Sequence, residues 1–425
     1  MRLAVFTSKY PAQVSTFFER DMRALIETGM EIDVFSIYPL DASEWGHSLE
    51  LLGPSKLPRH RIHHLELMQA LKLARPVLRR RLKIAGRDAI SVLRAAARYG
   101  PMQVAKTAYA LPKAWAWAAQ YTHRYDHVLA YWGNYAGTIA YAFHRLAAPQ
   151  LPFSIWLHAG TDLYRSPAFM REKLAYADNV VTCCEFNQSY ILEHFGDVPG
   201  LQSKVHVCHH GLNLDEFPFQ LEGRASHTLL AVGRLSKLKG FDYLVRAAQV
   251  LRAQGLPITV EFVGDGDERA ALQSLAAELG IAEHVDFRGW QPFAGVREAM
   301  NRATMVVHPS DGLGDGLPNV VREAMALGAP VVASDVAGIP DALRDGCGVL
   351  VPPRDVYALA GEIARLLRHP EERRAIAVRA RKRTEEKYDL WRNGARLAQL
   401  LQNTRRAPAP APATRPLYAE GESVA

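Results

Sequence analysis

The stretch of residues 305–333 constrains the fold most strongly. Met305–His308 is an apolar run with the character of a buried strand, and residues 310–317 hold three Gly and two Asp, which leaves no room for a regular element. Asn319–Leu327 then has helical composition between a Pro and a Gly, which favour the start and the end of a helix. A second apolar run follows, so the stretch is predicted to fold as strand, turn, helix and strand.

The beginning of the chain repeats this order. Residues 3–7 and 32–37 are apolar runs, and residues 17–27 between them have the apolar periodicity of a helix. Strands that alternate with helices are typical of a parallel sheet. A chain of 425 residues is too long for one ordinary domain, so we predict an α/β protein with two domains.

The turn and helix of the 305–333 stretch carry groups suited to a phosphorylated ligand. The first N–H groups of a helix attract phosphate. Two carboxylates, Asp315 in the turn and Glu323 in the helix, repel phosphate but accept hydrogen bonds from hydroxyl groups. A ligand with phosphates in its middle and diols at both ends is a nucleotide sugar. The alternative is an ordinary strand-to-helix turn in which Glu323 is a solvated surface charge.

Three motifs carry a resemblance to a known family. The segment Asp315-Gly-Leu-Pro-Asn-Val-Val-Arg-Glu323 resembles the Glu-x7-Glu signature of the retaining nucleotide-sugar glycosyltransferases of family four, the bacterial polysaccharide type, with Asp in place of the first Glu. Residues 233–240 are similar to the family's Gly-Arg-Leu-x-x-x-Lys-Gly motif. Residues 158–162 resemble its His-Ala-x-Asp segment, with one extra residue.

The resemblance implies the GT-B fold, in which two Rossmann-like domains face a central cleft. Residues 1–215 would form an acceptor-binding N-terminal domain and residues 216–387 a C-terminal domain that binds the nucleotide sugar. A final helix at 388–403 would return to the N-terminal domain. Residues 404–425 contain an Ala-Pro repeat and are predicted to be a disordered tail.

The resemblance also implies roles for individual residues. Asp315 would hold sugar hydroxyls, Glu323 the ribose diol and His158 the donor sugar near C6, and these three form the catalytic set. The other predicted contacts are Arg234, Lys239, Gly316, Leu317, Pro318 and Asn319 for the diphosphate, Gly264 and Gly266 for the base and ribose region, and Ser15 and Thr16 for the acceptor-side loop. Ser15 or Thr16 could instead cap the first helix.

No metal and no other cofactor is expected. Arg234 and Lys239 are fixed cations that can replace Mg²⁺ at a diphosphate. Asp265-Gly-Asp267 imitates a metal-binding motif of another glycosyltransferase fold. We interpret it as a strand-to-helix turn in which Asp267 caps the following helix.

The predicted reaction moves a sugar from a nucleoside-diphosphate sugar to a hydroxyl group with retention of the anomeric configuration. The acceptor would be a glycan or a lipid-linked intermediate of exopolysaccharide or cell-envelope synthesis. One alternative is a sugar-nucleotide epimerase or hydrolase of the same fold. Another is a non-catalytic, membrane-associated protein that binds nucleotide sugars.

Residues 66–120 are predicted to form a basic insert in the N-terminal domain. Leu and Val alternate with Lys and Arg from 72 to 87 without an acid between, and Trp residues follow. This composition is typical of a helix at an anionic membrane surface, and equally of helices that cover the N-terminal sheet with a solvated basic face. The net charge of +7 suits an anionic partner. Nucleic acid is disfavoured because no RNA-binding or finger motif is present.

Four Cys without metal-ligand spacing predict reduced, buried thiols. The first residues lack the pattern of a signal peptide, and no uncharged apolar stretch reaches about 18 residues. We therefore expect a cytoplasmic protein that could associate peripherally with the inner face of the cytoplasmic membrane.

Overall fold

The computed structural model describes residues 1–10, 16–38, 57–165 and 167–406. In these residues the chain forms two parallel sheets, each flanked by helices. The predicted fold class is confirmed. The prediction for Ser15 and most of the predicted tail lie outside the described residues.

The first sheet has seven parallel strands in the order β3-β2-β1-β4-β5-β6-β7. Its strands are β1 (Arg2–Thr7), β2 (Glu31–Ser36), β3 (Ile62–His63), β4 (His127–Ala130), β5 (Phe153–Leu157), β6 (Asn179–Thr182) and β7 (Val205–Val207). Its helices are α1 (Thr16–Glu27), α2 (Leu67–Ala97), α3 (Pro101–Gln120), α4 (Tyr135–Ala147), α5 (Met170–Tyr176) and α6 (Glu185–Phe195). Side chains alternate across β1, so Ala4 and Phe6 enter one core and Leu3 and Val5 the other.

The predicted basic insert forms the helices α2 and α3. Trp117 of α3 is fully buried in the core on one face of the first sheet. The long helix α2 is kinked, because Arg81 has non-helical backbone angles of φ −130° and ψ 31°. The insert therefore covers the first sheet, which was one of the two interpretations of its sequence.

The second sheet has six parallel strands in the order β10-β9-β8-β11-β12-β13. Its strands are β8 (Thr228–Val232), β9 (Thr259–Val263), β10 (Val285–Gly289), β11 (Met305–His308), β12 (Val331–Ser334) and β13 (Val349–Val351). Its helices are α7 (Phe241–Ala253), α8 (Arg269–Glu278), α9 (Phe293–Arg302), α10 (Asn319–Leu327), α11 (Ile339–Leu343), α12 (Val356–Arg368) and α13 (Pro370–Lys387). The strand, turn, helix and strand predicted at 305–333 are β11, α10 and β12.

The last helix, α14 (Leu390–Asn403), packs on the first domain and confirms the predicted return. Asp389 caps it by accepting a hydrogen bond from the N–H of Arg392 at 2.7 Å. A Cβ on Gly394 would lie 2.4 Å from the Cβ of Ala24, so the absence of a side chain lets α14 approach α1 closely. Ordered chain continues past 403, because Arg406 donates to the buried Asp178 at 3.0 Å. The predicted start of the tail at 404 is therefore too early.

Candidate active site

The two domains face each other across an open cleft with an empty volume of about 1510 Å³. It lies at the carboxyl ends of strands of both sheets, where parallel α/β sheets place their ligands. Most of the predicted site residues line it. They are Thr16, His158, Arg234, Lys239, Asp315, Leu317, Pro318, Asn319 and Glu323.

Asp315 is held by two basic side chains. Lys239 Nζ donates to its Oδ1 at 2.5 Å, and His308 Nε2 donates to its Oδ2 at 2.6 Å. Burial alone would raise the pKa of Asp315, but Lys239 and His308 outweigh burial and lower that pKa well below its usual range. Asp315 is therefore an anion fixed to the cation that was predicted to contact the diphosphate. His308, the last residue of β11, was missed by the sequence analysis.

Arg234 lies at the rim of the cleft, where 71% of its side chain is exposed. Its Nη2 donates to Asp267 at 3.0 Å. The prediction that Asp267 caps the next helix is wrong, because α8 begins at Arg269 and no side chain caps it. The Asp267 carboxylate accepts a hydrogen bond from Arg234 instead.

Gly264 and Gly266 do not line the cleft. A Cβ on Gly264 would lie 2.0 Å from the carbonyl oxygen of Gly233, and one on Gly266 would lie 2.3 Å from that of Leu235. These glycines let the turn after β9 press directly against the turn that carries Arg234. Their proposed place beside the base of a nucleotide stays a prediction.

Gly316 lies where the second domain packs directly against the first. Its φ of +61° is in the left-handed region, which residues other than Gly rarely adopt. A Cβ at this position would lie 2.5 Å from the Cβ of Ala159 in the first domain. This contact brings the N-terminus of α10, whose first N–H groups have no partner inside the helix, against the opposite wall.

The first domain contributes a wall of aromatic rings and imidazoles. The side chains of Phe17, Trp132, His158 and His210 line the cleft. The rings of His158 and His210 stack at 5.1 Å with an angle of 3° between their planes. Asp162 accepts the N–H of His158 at 2.8 Å, which fixes the loop after β5 that presents this residue.

His210 carries a positive charge in this wall. Its Nδ1 donates to Asp21 at 2.6 Å, and the hydroxyl of Tyr131 donates to the same carboxylate oxygen. Burial lowers the pKa of His210, but Asp21 more than offsets it and raises the pKa to about 9. The sequence analysis identified neither Asp21 nor His210 as a site residue.

Three contacts join α1 and the first domain to α10 across the cleft. Arg20 Nη1 donates to Glu323 Oε1 at 2.9 Å, and Asn319 Nδ2 donates to Thr16 Oγ1 at 3.2 Å. Arg322 Nη1 donates to the carbonyl oxygen of His210. Glu323 is thus not the solvated surface charge that the alternative interpretation expected, since only 11% of its side chain is exposed.

Other missed residues had a usable signal. Trp290 follows the carboxyl end of β10 and lines the cleft with 42% of its surface exposed. The rule that ligands bind beyond strand ends could have found it. Arg20 and Asp21 carry no such signal, because they are two charges within an ordinary amphipathic helix.

The two parallel-sheet domains and the cleft between them have the GT-B architecture. Solved structures of this architecture are similar over 95% of the chain. HepE of Anabaena in complex with UDP and glucose has a TM-score of 0.68 at 18% identity, with 99% of that chain covered. Sucrose-phosphate synthase from Thermosynechococcus elongatus has a TM-score of 0.70 at 19% identity, with 98% covered.

Residues 215–383 match the family model described as glycosyl transferases group 1, and this match together with the relatives named below identifies an enzyme that transfers a sugar. The amylovoran biosynthesis glycosyltransferase AmsK of Erwinia amylovora is 25% identical over 95% of this chain and 99% of its own length. A GDP-mannose-dependent alpha-(1-6)-phosphatidylinositol monomannoside mannosyltransferase of Mycolicibacterium smegmatis is 30% identical over 56% of this chain and 66% of its own length.

Among the described residues, no helix has the length and apolar character needed to cross a membrane.

Proposed function

We propose that this enzyme transfers a sugar from a nucleoside-diphosphate sugar to a hydroxyl group of a glycan or lipid-linked acceptor in polysaccharide synthesis, with retention at the anomeric carbon. One observation carries the proposal: Arg234, Lys239 and Glu323 line a single cleft, with the N-terminus of α10 beside them. AmsK, which is named for amylovoran synthesis, and HepE, which was solved with UDP-glucose, support the same class of donor and product.

The charges of the cleft suit the bond that breaks. The acceptor oxygen forms a bond to the anomeric carbon while the bond from that carbon to the phosphate oxygen breaks, and negative charge collects on the leaving diphosphate. Lys239, Arg234 and the backbone N–H groups of Leu317 and Asn319 would stabilise this charge. The leaving phosphate oxygen would take the acceptor proton. These fixed cations supply the charge that Mg²⁺ would otherwise provide, so we propose a reaction without a metal.

In this proposal, residues of the two walls contact different parts of the donor. Glu323 would accept hydrogen bonds from the ribose hydroxyls, and Asp315 would orient the sugar hydroxyls together with Lys239. His158, in the opposite wall, would contact the sugar near C6. Gly264 and Gly266 would shape the base region indirectly, by supporting the turn of Arg234.

Replacement of Glu323 by Ala tests the proposal. We expect turnover to fall at least about tenfold while the fold is kept, because hydrogen bonds to a charged group are worth about 1.5–3 kcal/mol. The donor for this assay comes from a screen of UDP-, GDP- and ADP-sugars for thermal stabilisation of the wild type. Full activity of the variant would contradict the role of Glu323. Consumption of the donor without any acceptor would favour the hydrolase or epimerase alternative.

We also propose that α2 contacts an anionic membrane surface on the cytoplasmic side. Exposed apolar side chains alternate with exposed basic ones along this helix. Met68 and Leu82 are 66% and 65% exposed, and Arg79, Arg80 and Lys83 are exposed between or beside them. Apolar groups beside cations suit the boundary between lipid head groups and acyl chains, where each basic residue contributes about 1 kcal/mol.

Co-sedimentation with vesicles tests this contact. The wild type should bind vesicles that contain phosphatidylglycerol and not pure phosphatidylcholine vesicles, and Leu82→Glu should weaken binding. Val378, which is 50% exposed on α13 of the other domain, gives the matched control Val378→Glu. Equal binding of all three proteins would contradict the proposal.

A further inference from the structure

We propose that Arg20 is a positioning residue for sugar transfer. It extends from the first domain into the second and holds Glu323 in the orientation that accepts the ribose hydroxyls of the donor. This inference deepens the proposed function and rests on it.

The first argument is the ion pair itself. Arg20 Nη1 lies 2.9 Å from Glu323 Oε1, and the two side chains are only 12% and 11% exposed. Charges with so little exposure are weakly screened by solvent and salt. The pair therefore restrains the Glu323 carboxylate far more than a surface ion pair would.

The second argument is the aromatic environment of the guanidinium. The Cζ of Arg20 lies 5.4 Å from the ring centroid of Phe217 and 5.6 Å from that of Phe293. The two rings pack edge to face, with centroids 5.4 Å apart and planes at 74°. A planar guanidinium near aromatic rings keeps a defined orientation. The two aromatic rings thus hold Arg20 in place, and Arg20 in turn restrains Glu323.

The third argument is that Glu323 has hydrogen-bond acceptor sites that Arg20 does not occupy. A carboxylate offers about four acceptor sites, and Arg20 occupies one of them, on Oε1. Glu323 itself lines the cleft, so its remaining acceptor sites can serve a vicinal diol.

A second contact along the same two helices supports this arrangement. One turn before Arg20, Thr16 Oγ1 accepts a hydrogen bond from Asn319 Nδ2 at 3.2 Å, and Asn319 precedes Glu323 by one turn of α10. The helices α1 and α10 therefore meet along matched turns.

The test compares Arg20→Met, Arg20→Lys and the control Arg23→Met in the full-length chain. Arg23 lies on the same helix but pairs with Glu216 at 3.1 Å, with 40% of its side chain exposed. For each protein, calorimetry gives the Kd of whichever of UDP, GDP and ADP binds the wild type, and of its 2′-deoxy counterpart. The ratio of the two constants measures the contact to the ribose hydroxyl, and a merely structural role of Arg20 would not change it.

We expect the wild type and Arg23→Met to bind the ribonucleotide about tenfold more tightly than the deoxynucleotide. In Arg20→Met this preference should fall to about twofold or less, with an intermediate value in Arg20→Lys, which keeps the charge but loses the planar group. An unchanged preference in Arg20→Met would overturn the inference and leave the proposed function intact. A wild type without any ribose preference would overturn the assigned role of Glu323 and the inference with it.

Discussion

The two walls of the cleft are built on different principles. The wall of the second domain is charged: Lys239, Asp315 and Glu323 lie on or next to turns that follow β8 and β11. The wall of the first domain is a stack of rings, in which His158 and His210 lie parallel at 5.1 Å. In the proposed reaction, the charged wall would neutralise the diphosphate, whereas the aromatic wall would exclude water from the bound sugar.

The largest expected effect concerns the charged wall. Lys239→Met removes the lysine that we propose to contact the leaving diphosphate, and we expect kcat/KM to fall about 100- to 1000-fold, as in the removal of other groups that stabilise a developing negative charge. Asp315 also loses Lys239, one of its two basic partners, which lies at 2.5 Å, so some loss of stability should accompany the kinetic effect.

Lys237 supplies the matched control for this variant. It lies in the same short turn but is exposed to solvent. Steady-state kinetics of Lys237→Met should differ from the wild type by less than about threefold. If both Lys variants lost activity equally, the charge of the whole turn, rather than the position of Lys239, would be responsible.

The charged wall was predictable because its chemistry is local in sequence. Asp315 and Glu323 lie eight positions apart, on one turn and one helix, and a Gly-rich turn after a strand fixes where both point. The order of elements in both domains follows from the same local patterns. The replacement of Glu by Asp at position 315 was visible, but its pairing with His308 was not, since a histidine inside an apolar strand has no distinctive spacing.

Apart from His158, the aromatic wall was not predictable, because its contacts are remote in sequence. Asp21 meets Tyr131 and His210, which are 110 and 189 positions away. No periodicity or motif within α1 indicates that one of its acidic residues will be buried against an imidazole. These groups come together only in the folded protein, where α1 packs against the first sheet and the chain segment that contains His210 passes beside it.

The second prediction tests the charge in the aromatic wall. The pKa of His210 is raised to about 9, whereas the histidine of an unfolded chain titrates near 6.5. Between about pH 6.5 and 9 the folded protein therefore binds more protons than the unfolded chain. The stabilisation is fully present below about pH 6.5 and is lost as the pH rises through about 9, with a total of about 3 kcal/mol.

The measurement is the free energy of unfolding across this pH range. Asp21→Asn removes the carboxylate that raises the pKa of His210, so its stability should vary less between pH 6.5 and 9 than that of the wild type. Asp197→Asn is the control, because Asp197 forms an exposed pair with Arg171 and its side chain is 61% exposed. A slope in Asp21→Asn that equals the wild-type slope would contradict a charged His210.

The smallest expected effect concerns the place where the walls touch. Gly316 and Gly255 have φ values of +61° and +80°, so Ala at either position should cost about 1 kcal/mol of backbone strain. They differ in their surroundings. A Cβ at Gly255 meets nothing within 4 Å, whereas one at Gly316 lies 2.5 Å from the Cβ of Ala159.

Gly316→Ala should therefore cost more in the free energy of unfolding than Gly255→Ala, by about 1 kcal/mol, because the two walls must separate to admit the methyl group. The same separation should weaken donor binding in Gly316→Ala alone, since Lys239 and the N-terminus of α10 move away from His158. Equal stability losses and unchanged binding in both variants would show that the walls tolerate a wider gap. The charged wall would then act without close support from the aromatic one.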